Sequence, residues 1–120
     1  MPTLIDRPVL FPDASPVPIR IEEYVGRLTT KEYRVSVARL MAPEGWSEPG
    51  QRPEFEEITI VLRGMVRIEH AEGAIDVHAG QAAITWPNEW IRYSTPNAEG
   101  ADYVAVCLPA FSLAMAYRDE

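Results

Sequence analysis

At 120 residues the chain is long enough for one domain with one real core and short for two. Apolar residues make up 47% of it and charged residues 24%, the balance of a globular protein, so disorder is not expected away from the ends. A net charge of −7 and a single lysine, Lys31, leave no basic cluster to displace counterions from a phosphate backbone, which argues against a nucleic-acid partner.

No signal-peptide core opens the chain and no apolar run is long enough to span a bilayer, so a soluble cytoplasmic protein without a membrane partner is expected. Cys107 is the one cysteine. It sits in the apolar run "YVAVCL" and reads as a small core residue, not as a nucleophile or half of an internal disulfide.

Met1 to Arg20 carries Pro2, Pro8, Pro12, Pro16 and Pro18, which forbid a helix interior and favour an extended arm serving packing rather than chemistry. Residues 1–32 are therefore read as this arm with the first strand or strands, and 33–120 as the body with a C-terminal covering segment. "YRVSVARLM" alternates with period two, placing Tyr33, Val35, Val37, Arg39 and Met41 on one face. "APEGWSEPGQRP" is a Gly/Pro-rich loop, and "EEITIVLRG" reads as a strand closed by Gly64. "MVRIEH" and "AIDVHAG" flank a short turn and predict a hairpin. "AAITW", "WIRYST" and "DYVAVCL" continue the series of strands, and Ser112 can begin one short helical turn. Many short strands in one small domain make an all-β sandwich or small barrel.

Two spaced patterns cross these strands. Gly45, Gln51, Pro53, Glu57 and Gly64 form the first; Gly80, Trp86, Asn88, Ile91 and Thr95 form the second, with Met65 to Ala79 between them. The intervals resemble the two motifs of the cupins, in which histidines stand where this chain has Gln51, Pro53 and Ile91, and proline and glycine where it has Trp86 and Asn88. Anchoring the second pattern on Pro87 would put Arg92 in the histidine slot, but it places Glu89 at a turn position suited to positive φ, which Asn88 tolerates better. The resemblance covers Tyr33 to Leu108 and implies a single-domain jelly-roll β-barrel. It also implies a homodimer, since cupins are commonly dimers. The family's activities are too varied to choose one.

Of the four ligand positions that the resemblance carries over, only Glu57 keeps an ionisable donor. Gln51 offers one amide oxygen, and Pro53 and Ile91 offer no side-chain donor, so neither a metal nor another cofactor is expected. His70 and His78 lie at the hairpin strand ends and read as exposed.

Alternation that turns Glu57 inward also turns Thr59 and Val61 inward, and on the following segment Ile91 and Tyr93. Arg39 and Met41 are candidates from the strand beginning at Tyr33. A lone carboxylate in such a pocket has its pKa raised by desolvation, which suits Glu57 to general acid/base work. Trp86 offers a flat face to an aromatic ligand, Trp46 or Trp90 can stand at the mouth, and Gln51 and Tyr93 can donate to a developing oxyanion. In the structural alternative, Glu57 pairs with Arg39 and is inert.

The function expected is metal-independent proton transfer on a small, partly apolar or aromatic molecule, of isomerase, cyclase or elimination type. The first alternative is a non-catalytic binding or sensing protein. The second is a metal-dependent oxygenase or isomerase with an atypical ligand set of Glu57, Gln51 and a histidine.

Overall fold

The computed structural model describes residues 1–13 and 15–119, and their regular structure is nearly all β. The strands run β1 (Val9–Phe11), β2 (Arg20–Val25), β3 (Ser36–Ala42), β4 (Trp46–Ser47), β5 (Glu56–His70), β6 (Gly73–His78), β7 (Ala82–Thr85), β8 (Ile91–Thr95) and β9 (Ala101–Leu108). A single helical turn, α1 (Leu113–Ala116), follows Ser112. No helix among the described residues is long and apolar enough to cross a membrane.

Every strand pairing is antiparallel, in the order β1-β2-β3-β9-β5-β8-β4, with β6 and β7 also on β5. The sheet curls because β5 serves both walls of the jelly roll. Its first half lies between β9 and β7, and its second half between β6 and β8. Gly64 therefore bends a 15-residue strand and does not end one. Its φ is 77°, and a Cβ there would strike the Gly100 carbonyl, so only glycine lets the two chains cross so closely. The expected hairpin at Ala71 is present, with His70 opposite Gly73.

Cross-strand register sorts the inward side chains into rows. Ser36, Cys107, Glu57 and Thr85 lie abreast on β3, β9, β5 and β7. The next row is Ala38, Ala105, Thr59 and Ala83, and beyond it stand Leu40, Tyr103 and Val61. Small residues in the second row leave space that larger ones would fill.

This register corrects the phase expected for β3. Ser36, Ala38 and Leu40 face the cavity, while Val37, Arg39 and Met41 lie on the outer face. Both faces of β3 carry apolar residues, so periodicity alone cannot choose between them. The outward guanidinium of Arg39 instead grips Asp102 of β9 through two bonds of 2.9 and 2.6 Å.

The main core joins both walls through Val61, Val66, Ile68, Ile91, Tyr93 and Tyr103. A smaller cluster of Phe55, Cys107 and Ala116, with Phe111 and Met115 against it, fastens the C-terminal segment to the barrel. Phe111 meets Phe11 and Phe55 edge-on at 5.8 and 5.6 Å, so both the N-terminal arm and the tail close onto one end of the barrel.

Candidate functional site

The barrel encloses a cavity of about 130 Å³. Glu57 is buried in its wall, placed there by the alternation of β5. The Cys107 thiol, directly across on β9, donates to Glu57 Oε1 at 3.6 Å. Burial pushes the Glu57 carboxyl up to about 7, against the opposing pull of Cys107, the Tyr93 hydroxyl and Arg118. The hydroxyls of Tyr93 and Thr85 share a hydrogen bond of 2.8 Å beside it. Burial also pushes Tyr93, Tyr103 and Cys107 well above their ordinary values, so these three stay neutral around Glu57.

A second carboxyl faces the same space. Glu48 follows β4, and its backbone N–H donates to the Tyr93 carbonyl at 3.2 Å, which fixes the loop against β8. Glu48 Oε2 accepts from Arg118 Nη2 at 3.3 Å, while Oε1 is buried without a partner. Burial pushes Glu48 up to about 8; Arg118 lowers it and Glu57 raises it. Arg118 Nε also donates to Gln51 Oε1 at 3.3 Å.

The tail reaches this position because residues 50–54 and 115–119 are hydrogen-bonded side by side. Asp119 N–H donates to the Gly50 carbonyl, Arg52 N–H to Ala116 and Glu54 N–H to Met115.

Of the residues singled out from the sequence, Glu57, Gln51 and Tyr93 meet in the cavity wall, and Trp46 joins them. Thr59 and Ile91 face inward and are buried, but they belong to the packing around the cavity and not to its wall. Ile91 pairs backbone to backbone with Gln51, in both directions at 2.9 Å. Arg39 and Met41 are outside, for the reason given above.

Trp86 is also outside. It follows the inward Thr85, so alternation turns it outward, and it is 53% exposed beside a second hollow whose wall includes Ile68, Thr85 and Ile91. Asn88 has φ 69°, as its place in the turn requires. Arg92 points away from the barrel and holds Glu69 at 2.6 and 2.9 Å. Arg39 is bonded to Asp102, so a Glu57–Arg39 pair does not form.

Sequence reasoning missed Glu48, Tyr103 and Arg118, and it gave the arm no part in the wall, to which Phe11, Pro12, Asp13 and Ser15 contribute. Glu48 lies in a Gly/Pro-rich loop and Arg118 in the tail, where no periodicity assigns a direction. The available signal for Glu48 was its place between Gly45 and Gln51 of the first pattern.

The four positions at which cupins hold a metal do not suit one here. Pro53 and Ile91 carry no donor, the Gln51 oxygen is taken by a guanidinium, and the Glu57 carboxyl holds its proton up to about 7. Among the described residues no group of three or more His, Cys, Asp or Glu is placed to hold an ion.

No family model matches the chain. Similar solved structures include a His-to-Gln variant of PAC13 from Streptomyces, solved with uridine. It has a TM-score of 0.75 and 15% identity over 98% of this chain and 88% of that one. A variant of oxalate decarboxylase from Bacillus subtilis matches with a TM-score of 0.72 and 16% identity, over 98% of this chain and 33% of that one. The cupin domain of Schizosaccharomyces pombe Cnp3 matches with a TM-score of 0.66 and 10% identity, over 76% and 64%. The chain has the cupin fold.

One curated protein, named endoribonuclease YbeY of Myxococcus xanthus strain DK1622, is 41% identical over 100 residues, or 83% of this chain. This chain spans about a third of that relative's length, 34%.

Proposed function

We propose that this cupin binds a compact, partly apolar or aromatic molecule in the barrel and transfers a proton on it through Glu57, in an isomerisation, cyclisation or elimination that needs no metal. The observation that carries this reading is the Glu57 carboxyl, buried in a cavity wall and poised at about 7, where it takes up and gives back a proton at neutral pH.

Ionised Glu57 accepts a proton from a carbon next to a carbonyl and returns it elsewhere on the same skeleton, which is an isomerisation. If a leaving group departs instead, Glu48, poised at about 8, is the acid that protonates it. The Gln51 amide and the Tyr93 hydroxyl stand in the same wall to donate to the oxygen on which charge develops. A structure of this fold solved with uridine, a molecule with one planar ring, supports a ligand of that kind.

Exchange of carbon-bound hydrogen for deuterium tests the reading before the natural substrate is known. Small aryl and alkyl ketones are incubated with protein in D2O and followed by proton NMR. Catalysed exchange on at least one of them is expected, falling by about 100-fold or more in Glu57→Gln. Exchange that survives the substitution removes Glu57 as the base. Saturable binding with no exchange on any ketone leaves a binding or sensing cupin instead.

A further inference from the structure

Three polar atoms on residues of the cavity wall are buried without a hydrogen-bond partner: Glu23 Oε1, Glu48 Oε1 and Trp46 Nε1. Glu23 and Trp46 are 1% and 3% exposed. An atom left unpaired in this way is costly to bury, so an orphan on a residue of a cavity wall marks where a bound molecule can make a bond. Two of the three are carboxylate oxygens; that of Glu23 packs against Gly26 while its Oε2 accepts from the Leu28 and Thr29 N–H groups and the Thr29 hydroxyl, so Glu48 Oε1, from the loop after β4, is the one left to a ligand. Glu57 adds a third carboxyl to the wall. Asp13 adds a fourth, already engaged by the Ile19 N–H and the Ser15 hydroxyl.

Among the described residues the wall has four acidic side chains and one cation, Arg118, whose guanidinium is committed to Glu48 Oε2 and Gln51 Oε1. A carboxylate or phosphate entering this space would find no free positive partner and several negative ones. The rest of the wall is aromatic and aliphatic, with Phe11, Trp46, Tyr103 and Phe111 around the carboxyls.

We infer that the ligand is a compact amine carrying one ring, with its protonated nitrogen between Glu48 and Glu57 and its apolar body against the aromatic wall. The inference rests on the reading of this cavity as the ligand site and names the class of ligand it takes. An ammonium group supplies both the hydrogens that the carboxylate oxygens lack and the charge that an alcohol cannot supply. Aromatic faces attract the same cation. A cavity of about 150 Å³ lined by apolar residues is known to hold benzene; the space here, about 130 Å³, fits one ring. The Trp46 indole N–H donates to the face of that ring or to an oxygen on it.

The arriving cation favours the ionised forms of Glu48 and Glu57, so binding releases protons and strengthens as pH rises from 6 to 8. The other titratable or charged residues lining the cavity are Glu23, Asp13, Arg118, Tyr93, Tyr103 and Cys107. The two phenols and the thiol are held neutral by burial over that range.

Isothermal titration with benzylamine, benzyl alcohol and benzoate, at pH 6, 7 and 8 and in two buffers of different ionisation enthalpy, tests this. Benzylamine is expected to bind about tenfold or more tighter than benzyl alcohol at pH 8, with protons released and with benzoate weakest. In E48Q and in E57Q the preference for the amine should collapse while benzyl alcohol still binds, which also shows that the variants fold. Equal binding of the alcohol and the amine, tightest binding of benzoate, or binding of none of the three would each overturn the inference. A preference for amines in a protein that catalyses no deuterium exchange would remove the proton-transfer reading and leave this one standing.

Discussion

A carboxyl that titrates at about 7 when folded and at 4.5 in its ordinary state makes the stability of the barrel depend on pH. The folded form binds the proton more tightly, so the sign is that of a raised acid: stability is greatest below 4.5, falls as pH rises towards 7, and falls no further above it. Replacing Glu57 with Gln removes that penalty. The variant is expected to match the parent in urea unfolding at pH 4 and to exceed it by up to about 3 kcal/mol at pH 8. A variant less stable at pH 8 would mean that the Glu57 carboxylate is held by a favourable partner. Arg118 lowers both Glu48 and Glu57, so Arg118→Met should move both carboxyl midpoints upward, read by carbon-13 NMR of the glutamate side chains. Unmoved midpoints would show that the guanidinium does not act on the cavity. Glu57 was legible in the sequence because a fixed spacing and strand alternation together assign its direction. Glu48 and Arg118 have neither, and only folding brings the loop and the tail to the same wall.

Among the elements, β5 bears the greatest geometric demand. Gly45 and Gly64 both have positive φ, 86° and 77°, yet a Cβ at Gly45 meets nothing while one at Gly64 meets backbone. Gly45→Ala is therefore expected to cost about 1–2 kcal/mol, the strain of the left-handed region alone. Gly64→Ala should cost roughly twice that or more, because β5 or the Gly100 turn must move. Equal losses in denaturant unfolding would show that the crossing is not as close as described. The strands themselves were readable from period-two patterning and Gly/Pro punctuation, and the Asn88 turn from its tolerance of positive φ. Two things were not. Glycine marks strand ends and bends alike, so the continuity of β5 was hidden. The phase of β3 was hidden too, since a strand apolar on both faces gives alternation nothing to distinguish.

For the whole molecule, charge is the broadest constraint. A net charge of −7 repels a polyanion at long range, and the one cation of the cavity wall is engaged. The curated relative is named an endoribonuclease, but the two share only a third of that protein's length. This chain by itself is expected to bind single-stranded RNA with a Kd no tighter than about 10⁻⁴ M at physiological salt, measured by fluorescence anisotropy. Micromolar binding that weakens steeply with added salt would show a basic surface acting in spite of the net charge.

Phe11, Pro12, Asp13 and Ser15 of the arm and Arg118 of the tail border the same cavity, so arm and tail meet at one place. An affinity tag joined after residue 120 would begin three residues after Arg118, whose guanidinium holds Glu48 and Gln51. A folded module joined after the tail would start near this wall, able to shade it or add groups to it. The same sequence can thus present one cavity when expressed alone and another when fused, and titrations from differently tagged proteins are not interchangeable.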